Sequence, residues 1–227
     1  MIKAVVFDFD GTLFQFVLDY EGMRNGVKDV VIAAGLPAST FQGGERIRDI
    51  VNEMREYAKT NGWTNKKTQK VMDEINGVLD RFEWESAQSN SPADGAKDVL
   101  QTLKKMGLMT GLLTNNSKRS ITYLLRKYGF TKLLDVVVTR SDLGDFNYLK
   151  PSPIGLAKVL EKLGAKANEA LYVGDSVVDV KAALGVGAKP IFVSTGYSGV
   201  DEAKKVDPTL TTINRIELVL EYVTKEK

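Results

Sequence analysis

From residue 93 onward the chain repeats one pattern: an amphipathic helical segment ends in Gly, and an apolar strand follows. "AKDVLQTLKKMG" precedes "LMTGLLTNN", "ITYLLRKYG" precedes "LLDVVVT", "PIGLAKVLEKLG" precedes "EALYVGD", and "VKAALGVG" precedes "KPIFVS". Gly107, Gly129 and Gly164 stand where helices stop, because Gly enters the left-handed conformation without a Cβ clash. Lys104, Lys105, Lys127 and Lys162 fall in the last helical turns, where the helix dipole favours cations. All-apolar strands alternating with helices restrict the architecture sharply. The strands must lie parallel in one sheet, with helices covering both faces. "IKAVVFD" supplies a further strand at the start.

Residues 15–91 break the pattern. No comparable apolar strand occurs there, and helical periodicities dominate: "GMRNGVKDVVIAAG", "GERIRDIVNEMREYAKTNG" and "TQKVMDEINGVLDRFEWESA". The polar stretch "SNSPADG" then leads back to the alternation. The expected fold is therefore α/β, a Rossmann-like three-layer sandwich around a central parallel sheet. Residues 1–14 and 92–227 form its core, and 15–91 form an inserted helical domain.

Composition narrows the chemistry. The chain has 227 residues, with 31 Lys+Arg against 29 Asp+Glu, too even a balance for nucleic acid as the main partner. The N-terminal apolar run reaches acids by residue 8, too soon for a secretory signal. No stretch approaches the ~20 apolar residues that span a bilayer, so the expected location is cytoplasmic, away from membranes. The chain contains no Cys and no His. Thiolate nucleophiles, Ser-His-Asp chemistry and imidazole metal sites are excluded. Proton transfer is left to carboxylates, Lys or Tyr. Any metal site must be made of oxygen, which favours Mg²⁺, Mn²⁺ or Ca²⁺.

In open parallel sheets, ligands bind at the carboxyl ends of the strands. The first strand ends at Asp8 and Asp10, the second at Thr114, Asn115 and Asn116, and the fourth at Gly174, Asp175 and Asp179. The loop after the third, "RSDLGDFNYLKPSP", contains Lys150. Each residue has an ordinary reading: a turn former, a helix N-cap or a solvated loop lysine. Their convergence on one edge is harder to explain that way. Two like charges 4 Å apart repel by roughly 4 kcal/mol at an effective dielectric of 20. Four acids gathered at one edge call for a divalent cation with oxygen ligands, and Lys150 adds positive charge. Such a centre accepts an anion, with Thr114 and neighbouring backbone N–H groups as donors.

"DFDGTLF", the strand-end Thr in "LLTNN", "KPSP" and "GDSVVD" resemble, in order, the four motifs of the haloacid dehalogenase-like superfamily. The resemblance runs from residue 2 to about 195. The helical insertion resembles the cap of the branch that includes phosphoglycolate phosphatase-like and β-phosphoglucomutase-like enzymes. It implies that Asp8 is a nucleophile that becomes an aspartyl phosphate. Asp10 protonates the leaving alcohol and then activates water. Mg²⁺ is held by the Asp8 carboxylate, the Asp10 backbone carbonyl and Asp175. Thr114, Asn115 and Lys150 bind the phosphoryl group, and Asp179 orients Lys150 or a metal-bound water.

The expected activity is Mg²⁺-dependent hydrolysis of a small phosphorylated metabolite, by a monomer or homodimer. A sugar phosphomutase on the same scaffold and a noncatalytic binding protein are the alternatives. A dehalogenase is disfavoured, since it needs neither metal nor Asp10. Within the insertion, Gly43 and Gly44 interrupt a helical pattern just before Arg46 and Arg48. Arg46 is either a solvated residue at a helix–helix turn or a forked donor that selects the substrate.

Overall fold

The strand "AVVF" is buried at all four residues, and it is the centre on which the sheet is built. The computed structural model describes residues 1–15, 17–194 and 199–224, so the expected core limit at 227 lies outside the described residues. Six parallel strands make one sheet: β1 (Ala4–Phe7), β2 (Met109–Leu113), β3 (Val136–Val138), β4 (Ala170–Gly174), β5 (Lys189–Val193) and β6 (Thr211–Ile213). Their spatial order is β3-β2-β1-β4-β5-β6. This is the doubly wound, Rossmann-like order, and its direction reverses beside β1, where such sheets bind ligands. The register pairs Phe7 with Leu112 on one side and with Val173 on the other. The next residue of β1's chain, Asp8, therefore emerges level with the ends of both neighbours.

The patterning does not signal β6. It has two Thr in three residues, no apolar run and an edge position. The other edge strand, β3, is three Val, so the Thr residues and not the edge position hide β6.

The chain divides into two compact units, Met1–Val17 with Asn90–Lys227, and Leu18–Ser89. In the second unit α1 (Tyr20–Ala33), α2 (Ile47–Thr60) and α3 (Asn65–Ser89) bury Val27, Val31, Ile50, Met54 and Ile75. The first unit carries α4 (Ala96–Lys105), α5 (Lys118–Lys127), α6 (Arg140–Leu143), α7 (Ile154–Leu163), α8 (Val177–Val186), α9 (Val200–Val206) and α10 (Val219–Thr224). Gly107, Gly129 and Gly164 all have positive φ at the ends of α4, α5 and α7. Among the described residues, no helix is long and apolar enough to cross a membrane.

Candidate active site

The turn after β1 separates the polar and apolar sides of "DFDGT". Alternation sends Phe9 into the core, where it stacks on Phe14 with centroids 4.4 Å apart. Asp8 and Asp10, either side of it, face away from that stack. Gly11 turns the chain at φ 71°, and a Cβ there would stand 2.1 Å from Asp175 Oδ2. The glycine is thus required twice, by its backbone conformation and by the carboxylate lying on it.

Asp175 and Asp179 come from the end of β4 and the first turn of α8. Gly174 admits Asp179, since a Cβ on it would lie 2.5 Å from the Asp179 Cβ and Cγ. Four donors saturate the Asp179 carboxylate. Oδ1 accepts from Lys150 Nζ at 2.7 Å and Tyr172 OH at 3.0 Å. Oδ2 accepts from the Ser176 N–H at 3.1 Å and its hydroxyl at 2.5 Å. Asp179 thus caps α8 and contacts Lys150 with one carboxylate. Its filled lone pairs favour a role in orienting Lys150 over one in holding a water.

Lys150 is 7% exposed, and its ammonium also donates to Asp8 Oδ1. The Asn115 carboxamide clasps its backbone, accepting from the Lys150 N–H at 3.0 Å and donating to its C=O at 3.3 Å, beside the cis Lys150–Pro151 peptide. The Asn115 side chain, expected to touch substrate, holds this loop. Thr114 is buried, and its Oγ1 accepts from the Asn116 N–H at 3.1 Å. Asp10 Oδ2 accepts from Asn116 Nδ2 at 2.6 Å.

One carboxylate oxygen from each of Asp8, Asp175 and Asp179 lies within 4.8 Å of the others. Three acids thus face one ammonium. A model of the haloacid dehalogenase-like hydrolases matches residues 2–187 of the chain.

The chain belongs to this family.

Over 202 residues, this haloacid dehalogenase-like hydrolase is 28% identical to an N-acetylmuramic acid 6-phosphate phosphatase of Pseudomonas aeruginosa, covering 86% of this chain and 83% of that one. Over 224 residues it is 28% identical to a phosphoglycolate phosphatase of Photorhabdus laumondii, covering 96% and 91%. A solved hydrolase from Pseudomonas syringae shares the fold at a TM-score of 0.65 and 21% identity, with 98% of each chain covered.

Burial and crowding set the charges of the hydrolase's site. Burial, then the Asp179 charge, pushes the Asp175 carboxyl up to about 7. The same two causes raise Asp8 well above the carboxylate range, with Lys150 opposing. Burial works against the Lys150 charge, but Asp179 and Asp8 outweigh it and raise its pKa. Lys150 therefore stays charged, while without a second cation Asp8 and Asp175 relieve their crowding by keeping protons.

Of the sequence-predicted residues, Asp8, Asp10, Thr114, Asn115, Lys150, Asp175 and Asp179 belong to the first unit and stand at the carboxyl ends of β1, β2 and β4 or in the loop preceding α7. Arg46 belongs to the helical unit, exposed at the N-cap position of α2. Sequence reasoning placed Asn116 at the end of the second strand without giving it a role, and it missed Tyr172. Asn116 adjoins the strand-end motif, and Tyr172 is the polar-tipped residue of an otherwise apolar β4, a signal that could have marked it.

Proposed function

We propose that the protein is a Mg²⁺-dependent phosphatase that hydrolyses a small phosphorylated metabolite through an aspartyl phosphate on Asp8. The observation that carries this reading is the Asp8 carboxylate, bonded to the buried Lys150 ammonium inside a cluster of acids at the sheet's switch point. The names of the two relatives support the reaction class.

The residues fit a hard divalent cation. The donors are all oxygens, the crowding that makes Asp8 and Asp175 hold protons is what a cation would relieve, and Gly11 leaves room for the Asp175 carboxylate. Asp8 and Asp175 would hold Mg²⁺ through their carboxylates and Asp10 through its backbone carbonyl. Bound there, the ion would offset the repulsion between a carboxylate and a phosphate dianion and stabilise charge in the transition state.

The rest of the work falls to side chains. Lys150 and Thr114, with backbone N–H groups beside Thr114, bind the phosphoryl oxygens. An Asp8 oxygen attacks phosphorus as the bond to the alcohol oxygen breaks, and Asp10 gives that oxygen a proton. Asp10, now ionised, takes a proton from water as the water attacks the aspartyl phosphate. Phosphate leaves and Asp8 is regenerated. Asp179 keeps Lys150 in place. Selectivity among substrates is assigned to the helical unit, with Arg46 as the candidate residue.

A phosphate-release screen over a metabolite panel with Mg²⁺ tests the proposal. We expect several phosphomonoesters to be hydrolysed, EDTA to stop turnover and Mg²⁺ to restore it. Zn²⁺ should substitute poorly, because the site offers neither nitrogen nor sulfur. Asp8→Asn should abolish release while circular dichroism stays unchanged. Full turnover in excess EDTA, or by Asp8→Asn, would overturn the mechanism.

A further inference from the structure

We infer that Asn116 is a positioning residue for the proton-transfer step, holding the Asp10 carboxyl at the orientation from which it serves the leaving alcohol. The inference rests on the general acid role proposed for Asp10. Three observations carry it. Asn116 Nδ2 donates to Asp10 Oδ2 at 2.6 Å, joining the turn after β1 to the loop after β2 across 106 positions of sequence. The backbone of Asn116 is fixed on both sides: its N–H donates to Thr114 Oγ1 at 3.1 Å, and its C=O accepts from the Arg140 N–H at 2.9 Å. The carboxamide therefore hangs from an anchored point. Finally, Asp10 lies outside the named strands, part-buried in an isolated bridge to Phe14, and the short bond adds a restraint on its carboxyl from a fixed donor.

The chemistry makes that restraint matter. A general acid must stand within hydrogen-bond reach of the oxygen it protonates, and small displacements cost large factors in rate. The alkoxide released as the Asp8–phosphorus bond forms takes its proton from Asp10. A nitrophenolate leaves with little need of one. Losing the restraint should therefore slow alkyl esters selectively. The ratio of kcat/KM values isolates this, because kcat/KM reports steps up to departure of the alcohol and not the hydrolysis that both substrates share.

The test compares Asn116→Ala, Asn116→Asp and Asp10→Asn, each in the full-length protein. The substrates are the best alkyl phosphate of the panel and 4-nitrophenyl phosphate. For Asn116→Ala we expect kcat/KM on the alkyl ester to fall about tenfold or more, and on the aryl ester less than about threefold. Asn116→Asp keeps the shape but removes the donor, so it should shift the ratio at least as far. A role in packing alone would make Asp the milder change. A defect in the metal or phosphate site would lower both substrates together. Asp10→Asn should shift the ratio further in the same direction. If Asp10→Asn is selective for the alkyl ester and neither Asn116 variant is, the positioning role is wrong and the general acid stands. If Asp10→Asn lowers both esters equally, the general acid falls and the role of Asn116 falls with it.

Discussion

Asp175 sits where burial and the Asp179 charge both oppose ionisation, and the sign of its effect on stability follows from that. Its folded pKa, about 7, exceeds the ordinary 3.8. Between those values the folded state keeps a proton that the unfolded state releases. Its contribution to stability is complete below about 3.8 and is lost as pH rises through about 7. Metal-free protein should therefore lose stability between pH 5 and 8 relative to Asp175→Asn, which keeps the shape without the charge. At pH 8 the variant should be the more stable by on the order of 1–3 kcal/mol, read from urea unfolding in EDTA. Added Mg²⁺ should reverse the order: it raises the Tm of the parent more at pH 8 than at pH 5.5 and leaves Asp175→Asn unmoved. A parent that stays the more stable at pH 8 without metal would show that the acids are not in conflict.

The element that carries the chemistry is β1 with its turn, and aromatic packing anchors it. Phe14 stacks on Phe9 and meets Phe130 at 5.2 Å and Tyr128 at 5.8 Å. The Phe14 and Leu13 N–H groups both donate to the Phe9 carbonyl, at 2.9 and 3.0 Å. Phe14→Ala opens a cavity beneath the turn and should cost about 3–5 kcal/mol in urea unfolding; a loss below about 1 kcal/mol would mean that the stack does not anchor it. Much at this scale is legible in sequence. The alternation of helix, Gly and apolar strand marks five of the six strands, because each carries an apolar run, the three Val of the edge strand β3 included. β6, at the other edge, escapes because two of its three residues are Thr. Seven of the candidate site residues are legible for a related reason: strand ends at a switch point are where isolated acids, a Thr and a Lys have something to converge on. Their mutual roles are not. That Asn115 holds Lys150, that Asn116 holds Asp10 and that Tyr172 completes the saturation of Asp179 depend on pairings 35, 106 and 7 positions apart. Spacing along the chain encodes none of these.

Across the whole molecule, the proposed function divides chemistry and selectivity between the two units. The first unit contains all the groups proposed to act on phosphorus, yet they recognise only a phosphoryl group and a proton acceptor. The proposed function gives discrimination to the helical unit, whose segment 42–46 is built to hold a shape. Gly43 and Gly44 take φ values of 104° and 78°, which a side chain would strain. Glu45 Oε1 accepts from the Gln42 and Gly43 N–H groups at 2.5 and 2.8 Å. Its other oxygen meets the Lys28 ammonium at 2.5 Å. That ion pair, together with backbone hydrogen bonds, holds the Glu45 carboxyl down at about 2, so the loop keeps its clasp at any ordinary pH. Arg46 follows at the N-cap position of α2 with no capping bond of its own, leaving an exposed guanidinium on an ordered base. A guanidinium so placed matches a carboxylate or second phosphate on the distal part of a metabolite. Arg46→Ala should lower kcat/KM for the best metabolite about tenfold or more, the worth of one charge-assisted contact, while 4-nitrophenyl phosphate, which has no distal anion, changes little. Equal losses on the two substrates would place Arg46 in the support of the fold. No loss on either would make it a solvated helix-end residue, and the search for the selecting contact would move to other side chains of the helical unit.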